Sequence, residues 1–199
     1  MNTISEDNFI IETNRLILTP IKESDAILLW PHVTNPNIAR YMSWNVHESI
    51  NETNDLINRL IENCKLGLGI TWSIFHKEQN EFCGIFSIIS ILRKHRACVY
   101  DRGELACWCA PKYQIDKIMD ESGHAVIKFA FEVLKLNKLM NAHFSVNIAS
   151  ERFINRLNFN LIGEEKQAFQ KNDVWYDMKL YELLSEDYYL RKEQKELTI

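Results

Sequence analysis

The chain has 199 residues, 46% of them hydrophobic and 25% charged, with a formal net charge of −4. That length suits one domain around one sizeable core, and those proportions are globular. The mild negative charge excludes a general attraction to nucleic acid, no apolar run reaches membrane-spanning length, and five cysteines without paired spacing make neither a disulfide framework nor a zinc site.

The opening MNTISEDNFI is acidic and lacks the basic and apolar regions of a signal peptide, so a reduced cytoplasm is the expected location. Arg15 to Pro20 reads as the first strand. Ser24 and Asp25 cap a short helix reaching Trp30, and Pro31 and Pro36 interrupt the chain beyond it. Residues 48–66 place Ile50, Ile57, Leu60, Ile61 and Cys64 at helical spacing. Residues 70–76 and 82–92 read as two strands joined by the polar turn from His76 to Glu81. The basic cluster Arg93, Lys94, His95 and Arg96 reads as a solvated loop between strands. A third strand spans 103–109, where Cys107 and Cys109 alternate with Trp108 and read as small core residues.

Residues 120–134 form the clearest helix, with Val126, Phe129, Ala130, Val133 and Leu134 in one apolar stripe. Leu139 to Val146 reads as a strand, and Ser150 caps a helix running to about Leu157. Phe159 to Ile162 and Val174 to Leu183 read as the closing strands, and the charged tail from about Ser185 as a short exposed helix. This order describes an α/β domain with a mixed sheet. The junction at 111–126, PKYQIDKIMDESGHAV, is the chemically interesting one. A helix beginning there offers unpaired N–H groups and a positive dipole end to an anion.

The chain resembles the GNAT superfamily of acyl-CoA-dependent N-acyltransferases, and within it the Rim-type branch that modifies N-termini of ribosomal proteins. The resemblance runs from Glu12 to about Tyr188. It rests on Glu12-Thr-Asn-Arg15-Leu-Ile-Leu, Asn35-Pro36 with Ala39-Arg40-Tyr41, and Arg102-Gly103-Glu104-Leu105 ending at Trp108. It continues in Asn147-Ile-Ala-Ser150 with Leu157-Asn158-Phe159, and in Asp177 with Tyr181, Leu183 and Leu184. The resemblance implies a single domain over residues 1–199, with a mixed, mostly antiparallel sheet flanked by helices and two splayed central strands. It implies acetyl-CoA as co-substrate and a small amine or peptide N-terminus as acceptor, in a monomer or homodimer without direct nucleic-acid or membrane binding.

The sharpest departure falls in the junction. The family usually carries Gln/Arg-x-x-Gly-x-Gly/Ala there, and its backbone amides hold the CoA pyrophosphate. In the gap-free frame Gln114 takes the first position, Lys117 the first glycine and Met119 the last small residue, while Ile115 replaces the branch's additional glycine. A frame through Asp120-x-x-Gly123-x-Ala125 would shorten the helix by nearly two turns and is rejected. Lys117 and Met119 are expected at helical angles, which would keep the amides aimed at an anion. Asp116 brings a repelling charge that Lys112 and Lys117 offset.

The resemblance implies direct attack of a neutral amine on the thioester, with Glu104 as general base and Ser150 returning a proton to the thiolate. Trp108, Cys109, Gln114, Lys117, Ile118, Met119, Asn147 and Arg156 are the implied cofactor contacts. Each has a plainer reading beside it. Glu104 is also an ordinary strand carboxylate, solvated or paired with Arg102. Ser150 is also a helix cap, Asn147 an Asx-turn residue, and Arg156 part of a solvated helix face. Glu164, Glu165, Asp173 and Asp177 either attract a cationic acceptor or form a solvated rim. Two functions stay open: an N-acetyltransferase, or a binding module of the same fold whose cofactor site has decayed.

Overall fold

The computed structural model describes residues 9–197, so the reading of MNTISEDNFI, which rests mainly on residues 1–8, lies outside the described residues. The strands are β1 (Ile11–Glu12), β2 (Leu16–Pro20), β3 (Ile70–His76), β4 (Glu81–His95), β5 (Cys98–Cys109), β6 (Lys138–Phe144), β7 (Asn160–Lys171) and β8 (Val174–Leu184). The helices are α1 (Ala26–Val33), α2 (Pro36–Ala39), α3 (Ile50–Lys65), α4 (Ile118–Glu132), α5 (Ile148–Arg156) and α6 (Ser185–Glu196). All strands lie in one sheet ordered β1-β2-β3-β4-β5-β6-β8-β7.

Neighbouring strands are antiparallel except β5 and β6. Those two are parallel, because the chain leaves β5, runs back along α4 and re-enters the sheet beside the strand it left. Apolar residues cover both faces. On one, α4 and α5 bring Val126, Phe129, Ala130, Ile154 and Leu157 against Trp72, Phe86, Ile88 and Leu105. On the other, Leu29, Val33, Ile38 and Ile57 from α1, α2 and α3 pack on Ile85 and Trp108. Cys107 and Cys109 pack on the α4 side and Trp108 on the opposite side, as strand alternation requires. Among the described residues, no helix is long and apolar enough to cross a membrane.

Several local expectations are corrected. Pro31 sits inside α1 rather than ending it. The carbonyl it leaves without a helical donor belongs to Ile27, on the exposed side of the helix. The loop at 93–96 is the far end of a long β4–β5 hairpin, with Arg96 at φ 55° in the turn and Arg93 paired to Asp101 at 3.2 Å. Both faces of that end are open to solvent, so no apolar alternation marks it. The same reason hides β7, which runs to Lys171 rather than Ile162 as an uncovered edge strand. The charged tail is helical as expected, but its inner side is anchored. Tyr188 packs its ring on Phe131 and donates its hydroxyl to Glu132 at 2.7 Å.

Candidate active site

β5 and β6 pair over three positions, Arg102 with Lys138, Gly103 with Leu139 and Glu104 with Met140, and then part. β5 runs on to Cys109 and β6 to Phe144 without further rungs. Asn141 marks the point of parting. A continued parallel ladder would give the Leu105 carbonyl the N–H of Ala142; it takes Asn141 Nδ2 instead, at 2.9 Å. Past that point the backbone groups of Cys107 and Cys109 face the gap, because alternate residues of a strand aim their N–H and C=O to the same side as Leu105. Asn141 is absent from the residues that the sequence motifs single out. An amide side chain between Met140 and Ala142, in the middle of a covered strand, is the signal that marks it.

The α4 face of the gap is built from two helix N-termini. Helix geometry leaves the N–H groups of Ile118, Met119 and Asp120 without intrahelical acceptors, and Glu121 is the first to donate back, to the Lys117 carbonyl at 3.2 Å. Lys117 is the N-cap and lies at φ 55°, ψ 21°. This corrects the expected helical angles at Lys117, while Met119 is helical as expected: at Lys117 the chain makes the left-handed turn a glycine would make most cheaply, at a cost of roughly 1–2 kcal/mol for a side-chain-bearing residue. Arg15 helps to hold that turn. Its Nη1 donates to the Asp116 carbonyl at 3.2 Å while its Nε pairs with Glu121 at 2.7 Å. Gln114, Ile115, Asp116 and Lys117 are exposed, Ile115 at 90%. Ile118 is buried in the core and Met119 packs against it, so these two offer backbone rather than side chain. Gly123 lies within α4, where a Cβ would meet Leu157 at 2.8 Å. It is a helix-packing glycine, in keeping with the gap-free frame.

Lys112 is committed to Glu81 at 2.5 Å, whereas Lys117 makes no ion pair among the described residues. Of the two lysines expected to offset Asp116, one is therefore already engaged. Arg156 reaches the α4 N-terminus and grips Asp120 with Nε at 2.7 Å and Nη2 at 2.9 Å. Asn158 follows that helix at φ 63°, the left-handed turn an asparagine tolerates.

Asn147, not Ser150, caps α5: its Oδ1 accepts the Ser150 N–H at 3.2 Å. That leaves the Ser150 hydroxyl in the first turn with no capping duty. Trp108 is spent on packing. Its ring lies tilted against His32 and edge-on to Phe82, and its carbonyl faces Gly84, whose absent Cβ would lie 2.3 Å away. Cys109 reaches the gap through its backbone. Burial pushes the thiols of Cys107 and Cys109 up to about 12, so neither is a thiolate nucleophile at neutral pH.

Glu104 is on the other face of the sheet, shared with Ala106 and Trp108. It is half-buried and forms no ion pair with Arg102, whose guanidinium instead lies 4.1 Å from the Tyr100 ring centroid. Burial raises its carboxyl pKa above the usual range, against a smaller opposing pull from Arg102. Of the four rim carboxylates, Lys166 bridges two, Glu164 at 3.2 Å and Asp177 at 2.9 Å, so the rim keeps a net negative charge. The arrangement thus sets two anion-seeking helix ends on one side of a gap and a basic carboxylate on the other.

The family profile described as the acetyltransferase (GNAT) domain matches residues 15–160. A Bacillus subtilis (strain 168) protein named uncharacterized N-acetyltransferase YoaA is 26% identical over 175 residues, 88% of this chain and 96% of that one. Among solved structures, RimL, a ribosomal L7/L12 α-N-protein acetyltransferase in complex with coenzyme A, superposes with a TM-score of 0.81 at 23% identity, covering 89% of this chain and 99% of that one. Spermidine N-acetyltransferase from Vibrio cholerae, in complex with CoA and spermine, superposes at 0.78 with 19% identity, over 89% of this chain and 99% of that one.

Proposed function

This chain belongs to the GNAT acetyltransferase family, and we propose from that premise that it moves the acetyl group of acetyl-CoA directly onto a primary amine, on a small molecule or at a peptide N-terminus. The observation that carries this reading is the parting of β5 and β6 after Glu104, with the N-termini of α4 and α5 on one face of the gap and the Glu104 carboxylate on the other. Donor and acceptor then enter from opposite faces and meet between the strands.

The fit of acetyl-CoA rests on the left-handed turn at Lys117, a conformation glycine takes most cheaply, which leads directly into the α4 N-terminus. The N–H groups of Ile118, Met119 and Asp120 face its pyrophosphate, with Lys117 and Arg156 as the nearby cations. Asn147 and the unpaired backbone of Cys107 and Cys109 accompany the pantetheine arm. Bound there, acetyl-CoA supplies the activated acyl group; the residues supply the rest. Glu104 takes the ammonium proton, directly or through water, and its raised pKa makes it a better base than an exposed carboxylate. The N–H groups at the gap edge hold the charge that develops on the carbonyl oxygen. The Ser150 hydroxyl, free of capping, gives its proton to the departing sulfur and is reprotonated by the proton that the newly acylated nitrogen sheds. With burial keeping both gap cysteines as thiols, direct attack by the amine is favoured over attack by a cysteine thiolate.

The acceptor reading takes support from the two relatives whose names carry a ribosomal protein N-terminus and spermidine. Calorimetric titration with acetyl-CoA tests the donor side. Binding is expected, weaker than in a glycine-bearing relative because of Asp116. No heat and no thermal shift at millimolar ligand would favour the decayed-site binding module instead.

A further inference from the structure

Lys171 ends β7, and its ammonium leaves the sheet to donate to three backbone carbonyls, those of Ala39 at 2.5 Å, Met42 at 2.6 Å and Trp44 at 2.9 Å. An ammonium carries three donors, and here all three are used on one segment more than a hundred residues away in sequence. Burial draws the Lys171 pKa below the ordinary lysine value, so the charge has given up water that these carbonyls replace. The segment joining α2 to α3 has no regular structure between residues 40 and 49, and its far end is held by the His47 N–H on the Val33 carbonyl at 3.1 Å.

The sheet register says what this contact crosses. Met178 is opposite Phe144, so Tyr176 and Val174, two and four residues back along β8, lie on the face Phe144 occupies, and Lys171 opposite Val174 shares it. The Phe144 and Tyr176 rings, 4.9 Å apart, agree. Phe144 in turn shares its face with Met140, the partner of Glu104. At the other end of the contact, Met42 and Trp44 pack on the cluster that contains Trp108. The three hydrogen bonds therefore join the β5 side to the β8 side on the Glu104 face, over the mouth where β5 and β6 stand apart.

We infer that Lys171 is a specificity-determining residue: it ties the β7–β8 hairpin to the α2–α3 segment as a strap over the acceptor side, and so admits an amine carried on a thin, flexible chain while refusing one borne on a folded surface. This rests on the reading that the acceptor reaches Glu104 from that face. Lys171 touches no reacting atom; it acts by holding backbone.

The test compares the full chain with Lys171→Met, which keeps the stem and removes the charge, and Lys171→Arg, which keeps the charge. Hydrogen exchange read by mass spectrometry without ligand should show residues 40–46 opening in Lys171→Met and staying closer to wild type in Lys171→Arg. Acetyl transfer is then followed by free CoA thiol on two probes: a hexapeptide with a free N-terminal serine, and a folded carrier whose N-terminal serine is the first residue of its first ordered element, with no flexible residues before it. The wild type should favour the free peptide by about tenfold or more in kcat/KM, and Lys171→Met should remove most of that preference with KM for acetyl-CoA unchanged. Unaltered exchange in Lys171→Met, or opened exchange with the preference intact, overturns the inference. Transfer to neither probe by the wild type overturns it together with the acceptor reading. The acetyl-CoA titration reports the donor side separately.

Discussion

Arg156 grips the Asp120 carboxylate with two hydrogen bonds, at 2.7 and 2.9 Å, joining the last turn of α5 to the first turn of α4. Asp120 is well placed for the helix dipole but poorly placed for an incoming anion, and Arg156 reconciles the two by cancelling its charge. The pair is half-open to water on the arginine side, so its worth to stability is modest, roughly 0.5–1 kcal/mol. Arg156→Met should therefore melt only slightly earlier while binding acetyl-CoA about five- to tenfold more weakly, since Asp120 is left uncompensated beside the cradle. Calorimetry and a thermal melt on the same preparation check both halves; an unchanged dissociation constant would show that Asp120 lies out of the cofactor's field.

Glu104 gives a pH-dependent prediction. Its carboxyl pKa in the folded protein is raised above the ordinary value of 4.5, chiefly by burial. The folded state thus binds this proton more tightly than the unfolded chain, and stability falls as pH rises through the window between the two pKa values. Glu104→Gln should remove that decline and melt higher than wild type on the alkaline side. Its kcat/KM should drop by roughly 10²–10⁴-fold and lose the acid limb of the profile, where the wild type gains rate as Glu104 ionises. A variant with an unaltered pH–rate profile would make Glu104 a structural carboxylate.

Lys117 is held at φ 55° by the loop around it. Lys117→Gly should relieve left-handed strain, partly offset by the greater freedom of glycine in the unfolded chain, for a net gain of about 0.5–1 kcal/mol. Lys117→Ala loses the same charge but keeps the strain, so the difference between the two melts isolates the backbone contribution. In the same loop, Asp116→Lys should tighten acetyl-CoA binding. An unchanged affinity would show that the Asp116 carboxylate points away from the pyrophosphate.

Asn147 and Ser150 separate capping from chemistry. Asn147→Ala removes the oxygen that accepts the Ser150 N–H and should cost roughly 1 kcal/mol. Ser150→Ala removes a hydroxyl that caps nothing, so its melt should stay within a few tenths of wild type while turnover falls. A loss of stability at Ser150 without a loss of turnover would reverse this assignment.

Much of the architecture is legible in the order of residue types. Covered strands and helices announced themselves through alternation or a stripe, as in β3 and α4, because burial on one face selects residues at that period. The family motifs placed Glu104, Lys117, Asn147 and Arg156 in order along the chain, and the gap-free frame led to the junction where α4 begins. β7 and the tip of the β4–β5 hairpin stayed hidden because neither face of them is buried, so no period is written into them. Three decisions belonged to the tertiary structure. Lys117 takes a left-handed rather than a helical turn in a loop that Arg15, arriving from β2's leading edge, helps to hold through the Asp116 carbonyl. Where α5 begins, at Ile148, makes Asn147 its cap and sets Ser150 inside the first turn. That Lys171 straps the acceptor side depends on carbonyls of residues 39–44, which are present at every position of any chain and so leave no trace in the residue types. Backbone groups carry the cradle, the gap and the strap alike, and a sequence records side chains; where the backbone is aimed is settled only when distant segments pack against one another.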